Sequence, residues 1–223
     1  VFNTPGANAN AVKELVITGI LLATRDILSA VQYVKSLANE SDEVISAQVE
    51  ANKSLYKGAE VAGKTLGVVG LGSIGMKVAN DAVHLGLNVL GYDPFLSVHN
   101  AWELSARVRP AETLKELLSQ CDFVSFHMPL NPETSNFVNR EILSQLKSGA
   151  VVLNFSRQGI VDTDAMIDQL ESGHIYKYIT DFPSAKLIGL ENVICTPHLG
   201  ASTQQAEENC AVMIAKQLKD FLD

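Results

Sequence analysis

Short apolar runs alternate with segments of helical periodicity along most of this chain. The runs are short enough to be strands buried in a parallel sheet. They predict strands at 65–69, 88–92, 107–109, 121–126, 150–154, 177–180 and 192–195. Helical patterns lie between most of them, after Gly75 to about residue 85 and at 113–119, 139–146 and 162–172. This alternation predicts an α/β fold with a doubly wound parallel sheet, in which ligands bind at the carboxyl ends of the strands.

The first part of the chain is predicted to be one long helix. It is expected to run from Asn8 or Asn10 to about Leu37, and it is apolar nearly all round between residues 15 and 23. A helix that is buried on more than one face needs two partners. We therefore expect it to pack on the sheet and on a second copy of the chain, in a homodimer; a central helix of a monomer is the alternative.

Three further segments complete the predicted order of elements. A helix is expected at 43–55, and residues 94–111 are expected to be a connection with one short strand. A final helix is expected to begin at a capping box formed by Ser202 and Gln205 and to continue to about Leu222.

The composition narrows the classes of partner. Hydrophobic residues make up 47% of the chain, charged residues 19%, and the formal net charge is −8, which argues against nucleic acid and anionic membrane surfaces as partners. No apolar run is long enough to span a bilayer. Cys121, Cys195 and Cys210 lack the spacing of a disulfide framework or a metal site. We expect a cytoplasmic protein that has buried thiols and binds no metal.

A glycine turn follows the first predicted strand. Gly70 allows a tight bend, Gly72 lets the backbone approach a diphosphate, and Gly75 lets the next helix pack closely on the strand. The amino end of that helix attracts the phosphate charge. Asp93 ends the next strand, where a carboxylate accepts hydrogen bonds from ribose hydroxyls and repels a 2′-phosphate. The stretch predicts NAD as the cofactor; a strand, turn and helix without a nucleotide is the alternative.

Three other predicted strands end in groups that can take part in chemistry. His127, Arg157 and His198 each follow a strand, and a parallel sheet brings such ends to one edge. Arg157 offers a fork of donors that suits a carboxylate. His198 can give or take the proton that accompanies hydride transfer at a carbonyl carbon. A structural or surface role is the alternative for each of them.

Four motifs, taken in order, carry a resemblance to a known family. They are the glycine turn with Asp93, then His127–Thr134 (HMPLNPET), Asn154–Arg157 (NFSR) and Thr196–Thr203 (TPHLGAST). The chain is similar in these motifs to D-isomer-specific 2-hydroxyacid dehydrogenases, above all to members that oxidise 3-phosphoglycerate. The resemblance implies a Rossmann-like domain that transfers hydride between NAD and a small anionic 2-hydroxy acid, with 3-phosphoglycerate as the expected substrate.

The resemblance also implies roles for individual residues. Arg157 would bind the substrate carboxylate and carbonyl, and His198 would be the acid/base. The implied cofactor contacts, together with the glycine turn, are Gly70, Gly72, Ser73, Ile74, Gly75, Asp93, His127, Met128, Pro129, Phe155, Ser156, Arg157, Asp181, His198, Gly200 and Ala201.

The chain departs from the family pattern near the expected site. Ala185 stands where the family has a Glu that contacts the catalytic His, and Glu191 is near but out of place. Either Thr180 or Asp181 takes the place of the family Asp near the nicotinamide amide. Gln158 replaces a glycine, which predicts backbone strain there. Because a sensor needs no tuned His, a protein that senses NAD(H) and associates with a partner is the alternative function.

The resemblance also implies a division of the chain. Residues 1–202 would form the NAD-binding domain with its long helical arm, and residues 203–223 would be a helix of a substrate domain that lies mostly outside this sequence.

Overall fold

The computed structural model describes residues 3–222, and their strands form one seven-stranded sheet with helices on both faces. The strands are β1 Thr65–Val69, β2 Asn88–Tyr92, β3 Val108–Pro110, β4 Phe123–Phe126, β5 Ala150–Asn154, β6 Ile175–Thr180 and β7 Val193–Cys195. The α-helices are α1 Ala9–Thr24, α2 Ile27–Ser36, α3 Asp42–Asn52, α4 Ser73–His84, α5 Val98–Glu103, α6 Leu114–Gln120, α7 Arg140–Ser144, α8 Thr163–Glu171 and α9 Gln204–Leu222. Short 3₁₀ helices occupy Lys53–Tyr56 and Gln158–Ile160.

The sheet is parallel throughout, with the strand order β3-β2-β1-β4-β5-β6-β7. From β1 the chain first winds outward through β2 and β3, and it then returns to place β4 on the other side of β1. This reversal opens a crevice at the carboxyl ends of β1 and β4, where sheets of this kind bind their ligands. The predicted doubly wound α/β fold is confirmed.

Two apolar layers hold the sheet between the helices. The layer under α6, α7 and α8 includes the buried side chains of Leu117, Leu143 and Met166. The layer under α1 and α4 includes those of Ile20 and Val78. All residues of β4 and β5 are buried, which explains why these strands are continuous apolar runs rather than alternating patterns.

The prediction of a single helix from residue 8 to residue 37 is wrong, because the helix is interrupted between α1 and α2. Arg25 has an extended backbone, with φ −123° and ψ 120°. The Thr24 carbonyl accepts a hydrogen bond from the N–H of Ala59 at 2.9 Å, so a loop that is distant in sequence ties down the end of α1. The Asp26 carboxylate then accepts one from the Ser29 hydroxyl at 2.6 Å in the first turn of α2. Only α1 packs on the sheet, since α2 has no buried residue.

Two other predictions need correction. Part of the expected connection 94–111 is α5, whose N-cap Ser97 accepts a hydrogen bond from the N–H of Asn100 at 3.1 Å. The final helix is capped by Thr203 instead of Ser202: the Thr203 hydroxyl accepts from the N–H of Ala206 at 3.1 Å. Ser202 belongs to the preceding turn, because its N–H donates to the Leu199 carbonyl.

The last helix lies beside the beginning of the described chain. The Gln217 amide donates to the Asn3 carbonyl at 2.6 Å, and the Asn209 amide donates to the Ala7 carbonyl at 3.4 Å. Within residues 3–222, no helix has the length and apolar character needed to cross a bilayer.

Candidate cofactor and active site

The glycine turn between β1 and α4 has two positions that only glycine can occupy. Gly70 has φ +91°, and a Cβ there would lie 2.5 Å from the His127 carbonyl oxygen. A Cβ on Gly75 would lie 1.9 Å from the Gly70 carbonyl oxygen. Gly72 differs, because a Cβ there would meet no atom of the described chain within 4 Å. Packing therefore requires Gly70 and Gly75, whereas Gly72 leaves open space that a closely approaching ligand can use.

The amino end of α4 opens onto the same space. Its N-cap is Gly72, so among the described residues no side chain caps this twelve-residue helix. Ser73, Ile74 and Gly75 form its first turn. Free N–H groups and the positive end of the helix dipole suit a diphosphate, so the residues present fit the NAD that the sequence predicts.

Asp93 lies directly after β2 and is oriented by two backbone groups. The Leu71 N–H donates to its Oδ2 at 2.8 Å, and the Phe95 N–H donates to its Oδ1 at 2.8 Å. Each carboxylate oxygen keeps a second lone pair, which can accept a hydrogen bond from a ribose hydroxyl. Asp93, the residue predicted to bind the ribose, is thus joined to the glycine turn by a direct hydrogen bond.

The segment after β4 is half-buried at His127 and Met128 and exposed from Pro129. The His127 Nε2 lies 2.8 Å from the Ser125 hydroxyl, and its Nδ1 is buried without a partner in the described part of the chain. Burial lowers the pKa of His127 to about 4, so the ring is neutral near pH 7. Met128 packs against the core, while Pro129 is exposed. The predicted cofactor contacts of His127, Met128 and Pro129 stay predictions.

Arg157 follows β5 on a short loop that buried polar groups hold. Its side chain is exposed, and Nη1 donates to the Ser156 carbonyl at 2.6 Å. Phe155 is buried in the layer under α1, so any contact it makes with a cofactor would come from its backbone. Strain at Gln158 was wrongly predicted: this residue begins a 3₁₀ turn and is not among the residues with positive φ.

His198 follows β7 in a turn that is fastened to Asp181. The His198 backbone has φ +57°, a left-handed value that is uncommon outside glycine. Asp181 is only 1% exposed, and its carboxylate accepts hydrogen bonds from the N–H groups of Leu199 and Gly200 and from the Thr196 hydroxyl, at 2.6–2.7 Å. The His198 N–H donates to the Asp181 carbonyl at 3.0 Å. Buried hydrogen bonds therefore hold this turn in its unusual conformation.

Thr180 and Asp181, the two candidates for the place near the nicotinamide, both have buried side chains. Thr180 is the last residue of β6 and is fully buried, whereas Asp181 is the first residue beyond the strand. The Asp181 carboxylate serves the turn of His198 in this structure, and its contact with a cofactor stays a prediction. Ala201, at the end of the same turn, is exposed.

One open pocket of about 600 Å³ joins the two predicted catalytic residues. Arg157 and His198 both line it, although they come from the ends of different strands. The other lining residues are Leu130, Asn136, Gln158, Gly159, Val161, Thr163 and Phe182. Sequence reasoning did not select these as site residues. Phe182 could have been selected because it lies two residues after the end of a predicted strand.

The ring of His198 lies against an aromatic side chain. The ring of Phe182 lies edge-on to the His198 ring, with centroids 5.1 Å apart and an angle of 61° between the planes. Ala185 is exposed in the loop between β6 and β7. Glu191 cannot replace the missing carboxylate, because it lies at the amino end of β7 and lines a different cavity at the opposite edge of the sheet.

The arrangement combines a nucleotide-binding turn, a guanidinium for an anion and an imidazole for a proton on one edge of the sheet. Among residues 3–222, no group of three or more His, Cys, Asp or Glu side chains is placed to hold a metal ion. The three cysteines are free thiols.

Known proteins share this sequence pattern and this fold. Residues 21–200 match the family described as D-isomer specific 2-hydroxyacid dehydrogenase, NAD binding domain. A D-3-phosphoglycerate dehydrogenase of Synechocystis sp. is 37% identical, over 100% of this chain and 38% of the relative. A hydroxypyruvate reductase of Thermotoga maritima is 33% identical, over 98% of this chain and 68% of the relative.

Structural similarity points the same way. A D-lactate dehydrogenase from Escherichia coli superposes with a TM-score of 0.75 and 27% identity, over 92% of this chain and 61% of that chain. The chain spans 38% and 41% of the length of two phosphoglycerate dehydrogenases that it matches, so it corresponds to one part of those proteins. The predicted family and cofactor are confirmed: the chain belongs to the D-isomer specific 2-hydroxyacid dehydrogenases, and it carries the domain with which they bind NAD(H).

Proposed function

We propose that the protein carrying this chain oxidises a D-2-hydroxy acid with NAD, and that its substrate is 3-phosphoglycerate, converted to 3-phosphohydroxypyruvate for serine synthesis. The observation that carries the proposal is the shared pocket of Arg157 and His198 on the same edge of the sheet as the glycine turn. This arrangement supplies an anion-binding group and a proton acceptor beside a nucleotide site.

The chemistry assigns one task to each residue. The Arg157 guanidinium binds the substrate carboxylate through paired donors and polarises the neighbouring oxygen. His198 accepts the proton of the substrate hydroxyl as the carbonyl forms. NAD, when bound, supplies the acceptor for the hydride that leaves the same carbon. In this proposal Gly72, Ser73 and Ile74 hold its diphosphate, and Asp93 holds its ribose.

The choice of substrate rests on the names of the relatives. It is tested by comparing the rates of NAD reduction with different 2-hydroxy acids. The Synechocystis relative bears the name of a phosphoglycerate dehydrogenase, and the Thermotoga relative that of a hydroxypyruvate reductase. We therefore expect NAD reduction by the full-length protein with 3-phosphoglycerate, and much slower reduction with D-glycerate or D-lactate. Turnover of D-glycerate alone would reassign the substrate, and no turnover with any 2-hydroxy acid, with NAD binding intact, would contradict the enzyme.

The proposal includes a homodimer that forms through the helices before the glycine turn. Ile27, Leu28, Val31 and Val34 of α2 are 45–52% exposed, which is a large apolar surface for one short helix. A Val31→Glu variant is expected to shift the protein from dimer to monomer in light scattering, and an unchanged dimer would remove this face from the interface. We also propose a cytoplasmic location, and assign residues 203–223 to the substrate domain and residues 1–202 to the NAD-binding domain.

Two features of the site favour a second function. His198 contacts the ring of Phe182. An uncharged residue, Ala185, stands where the family has a Glu. A protein that senses NAD(H) and binds a partner would not need a tuned imidazole. It predicts that association with the partner depends on NADH, and association that is the same in buffer alone would exclude it.

A further inference from the structure

Two polar side chains of the substrate pocket have no task in the reaction as described. Asn136 and Gln158 line the same pocket as Arg157 and His198, and both are exposed. Neither carboxamide forms a hydrogen bond with another residue of the described chain. Each side chain therefore keeps its two N–H donors and its carbonyl oxygen for a ligand.

Other carboxamides of the same loop serve the backbone instead. Asn131 accepts a hydrogen bond from the Thr134 N–H at 2.9 Å, and Asn139 accepts one from the Ile142 N–H at 3.1 Å, where it caps α7. Asn136 lies between these two residues and makes no such bond within the described chain. A local structural task thus explains its neighbours and does not explain its own side chain.

Backbone hydrogen bonds place the two free carboxamides on one wall of the pocket. The Asn136 N–H donates to the carbonyl of Gly159, the residue after Gln158, at 2.7 Å. The Val138 N–H donates to the Ile160 carbonyl at 2.9 Å, so the loop after β4 and the loop after β5 are joined at two points. The two residues therefore stand on adjoining segments whose relative position is set by the main chain.

The backbone of Asn136 is left-handed, with φ +50°. Among the described residues other than glycine, only His198 shares a positive φ, and both residues line the pocket. Strained conformations of this kind cluster at functional sites. Glycine would adopt the conformation without cost, whereas asparagine tolerates it and adds a polar side chain to the wall. The turn alone thus does not require a carboxamide here.

The proposed reaction leaves one group of the substrate without a binding partner. The reacting carbon carries four groups: the carboxylate is assigned to Arg157, the hydroxyl to His198 and the hydride to NAD. The fourth group is the third carbon with its substituent, which must face the remaining walls of the pocket. The polar residues of these walls, within the described chain, are Asn136, Gln158 and Thr163.

The chemistry of the lining favours an anionic substituent on that carbon. Arg157 is positively charged, and no Asp or Glu is among the described residues that line the pocket. Each carboxamide contributes two N–H donors, against a single donor on the Thr163 hydroxyl. A phosphate ester presents three strong acceptor oxygens, so it can use the donors of both carboxamides at once.

We propose that Asn136 and Gln158 form the subsite for the substituent on the third carbon of the 2-hydroxy acid, and that this substituent is a phosphate ester. This inference rests on the proposed function and adds to it the two residues that select the substrate. A site that is built to hydrogen-bond a group discriminates against analogues that lack the group.

Three 2-hydroxy acids that differ only at the third carbon test the subsite. 3-Phosphoglycerate carries a phosphate ester there, D-glycerate carries a hydroxyl, and D-lactate carries neither. In the full-length protein, Asn136→Gly and Gln158→Ala are each expected to raise KM for 3-phosphoglycerate about fivefold and KM for D-lactate less than about twofold. The effect on D-glycerate should lie between these values.

Two control variants separate the carboxamides from their surroundings. Asn136→Ala removes the same side chain as Asn136→Gly but is strained at a positive φ, so it should lower Tm where Asn136→Gly does not. Gln120→Ala removes an exposed carboxamide at the end of α6, three residues before β4 begins and hence at the opposite edge of the sheet. It should leave KM unchanged for all three acids.

A merely structural role predicts a different result. It would change KM by the same factor for 3-phosphoglycerate, D-glycerate and D-lactate, and this outcome would overturn the inference. An unchanged KM for 3-phosphoglycerate in both Asn136→Gly and Gln158→Ala would overturn it as well.

Failure of the proposed function would look different from failure of the subsite. A wild-type protein that oxidises D-lactate but not 3-phosphoglycerate would remain a dehydrogenase and would overturn the subsite. If the wild type oxidised no 2-hydroxy acid, the proposed function would fail, and calorimetric titration of 3-phosphoglycerate into the protein saturated with NADH would still decide the subsite. Binding that is about fivefold weaker in Asn136→Gly would support it, and equal or absent binding in variant and wild type would overturn it.

Discussion

The two halves of the ligand edge are built from different contacts. Around the glycine turn, residues close in sequence meet through their backbones, as Gly75 does with Gly70, and a backbone N–H orients Asp93. At the ends of β5 to β7, the exposed side chains of Arg157 and His198 stand on turns that buried polar side chains hold: Asn154, three residues before Arg157, and Asp181, from the end of a neighbouring strand. The cofactor half depends on glycines that leave room for backbone contacts. The half that carries the two predicted catalytic residues, called the catalytic half below, depends on a few buried polar side chains.

Because the two halves are built differently, we expect substitutions in them to impair different properties of the protein. Substitutions in the cofactor half should impair folding or NAD binding, while substitutions in the catalytic half should impair turnover and leave NAD binding intact. The variants below test that separation.

The largest effect is expected from His198→Asn. Turnover by the full-length protein should fall about 10³-fold, because general acid/base catalysis commonly contributes 10²- to 10⁴-fold. The Kd of NADH should remain nearly unchanged, since the turn is held by Asp181 and not by the imidazole. Steady-state kinetics together with a fluorescence titration of NADH checks both values. Loss of NADH binding in this variant would overturn the assignment of His198 as the acid/base.

Gly75→Ala is expected to have the next largest effect, on folding. The added Cβ would lie 1.9 Å from the Gly70 carbonyl oxygen, which is backbone and cannot move aside easily. The free energy of unfolding should fall by about 3 kcal/mol. Gly72→Ala is the matched control: its Cβ meets no atom of the described chain within 4 Å, so its Tm should be close to that of the wild type. Equal Tm losses in the two variants would contradict the packing described for the turn.

His127 is expected to make the cofactor half sensitive to acid. Burial lowers its pKa to about 4 from an ordinary value of 6.5. Between these pH values the unfolded chain binds a proton that the folded chain does not, so stability is lost as the pH falls from 6.5 toward 4. The loss should be on the order of 2 kcal/mol. Urea unfolding across this range should show a shallower pH slope in His127→Gln, and an unchanged slope would show that another group controls it.

Asp93→Ser is expected to have the smallest effect, on the choice of nucleotide. The carboxylate should favour NAD by binding the ribose and repelling a 2′-phosphate, so its removal should weaken NAD binding about tenfold and improve NADP binding relative to NAD. Titrations with both nucleotides test this. A variant that prefers NAD as strongly as the wild type would show that Asp93 does not select the cofactor.

The same contrast explains what could be predicted from the sequence. The glycine turn, Asp93 and strands such as β1, β2 and β5 were predicted because their signals are local: apolar runs, glycines and a terminal carboxylate. The break between α1 and α2 was missed because the backbone of Ala59, distant in sequence, ends α1 at Thr24.

In the catalytic half, the sequence placed Arg157 and His198 at strand ends, and it did not indicate the hydrogen bonds that support their turns. Arg157 and His198 stand at strand ends, which is a local signal. The support that Asp181 gives to the turn of His198 appears only when β7 lies beside β6 and brings the N–H groups of Leu199 and Gly200 to the carboxylate. No pattern within a single segment indicates such a contact.

Calorimetric titration of NADH tests the central claim most directly, namely that the first turn of α4 binds a diphosphate while Asp93 binds the ribose beyond it. We predict saturable uptake by the wild-type protein with one site per chain, and weaker uptake by Gly72→Ala, a variant that should fold normally because no atom of the described chain lies within 4 Å of a Cβ at that position. A wild-type protein that unfolds cooperatively and yet takes up no NADH would contradict the account.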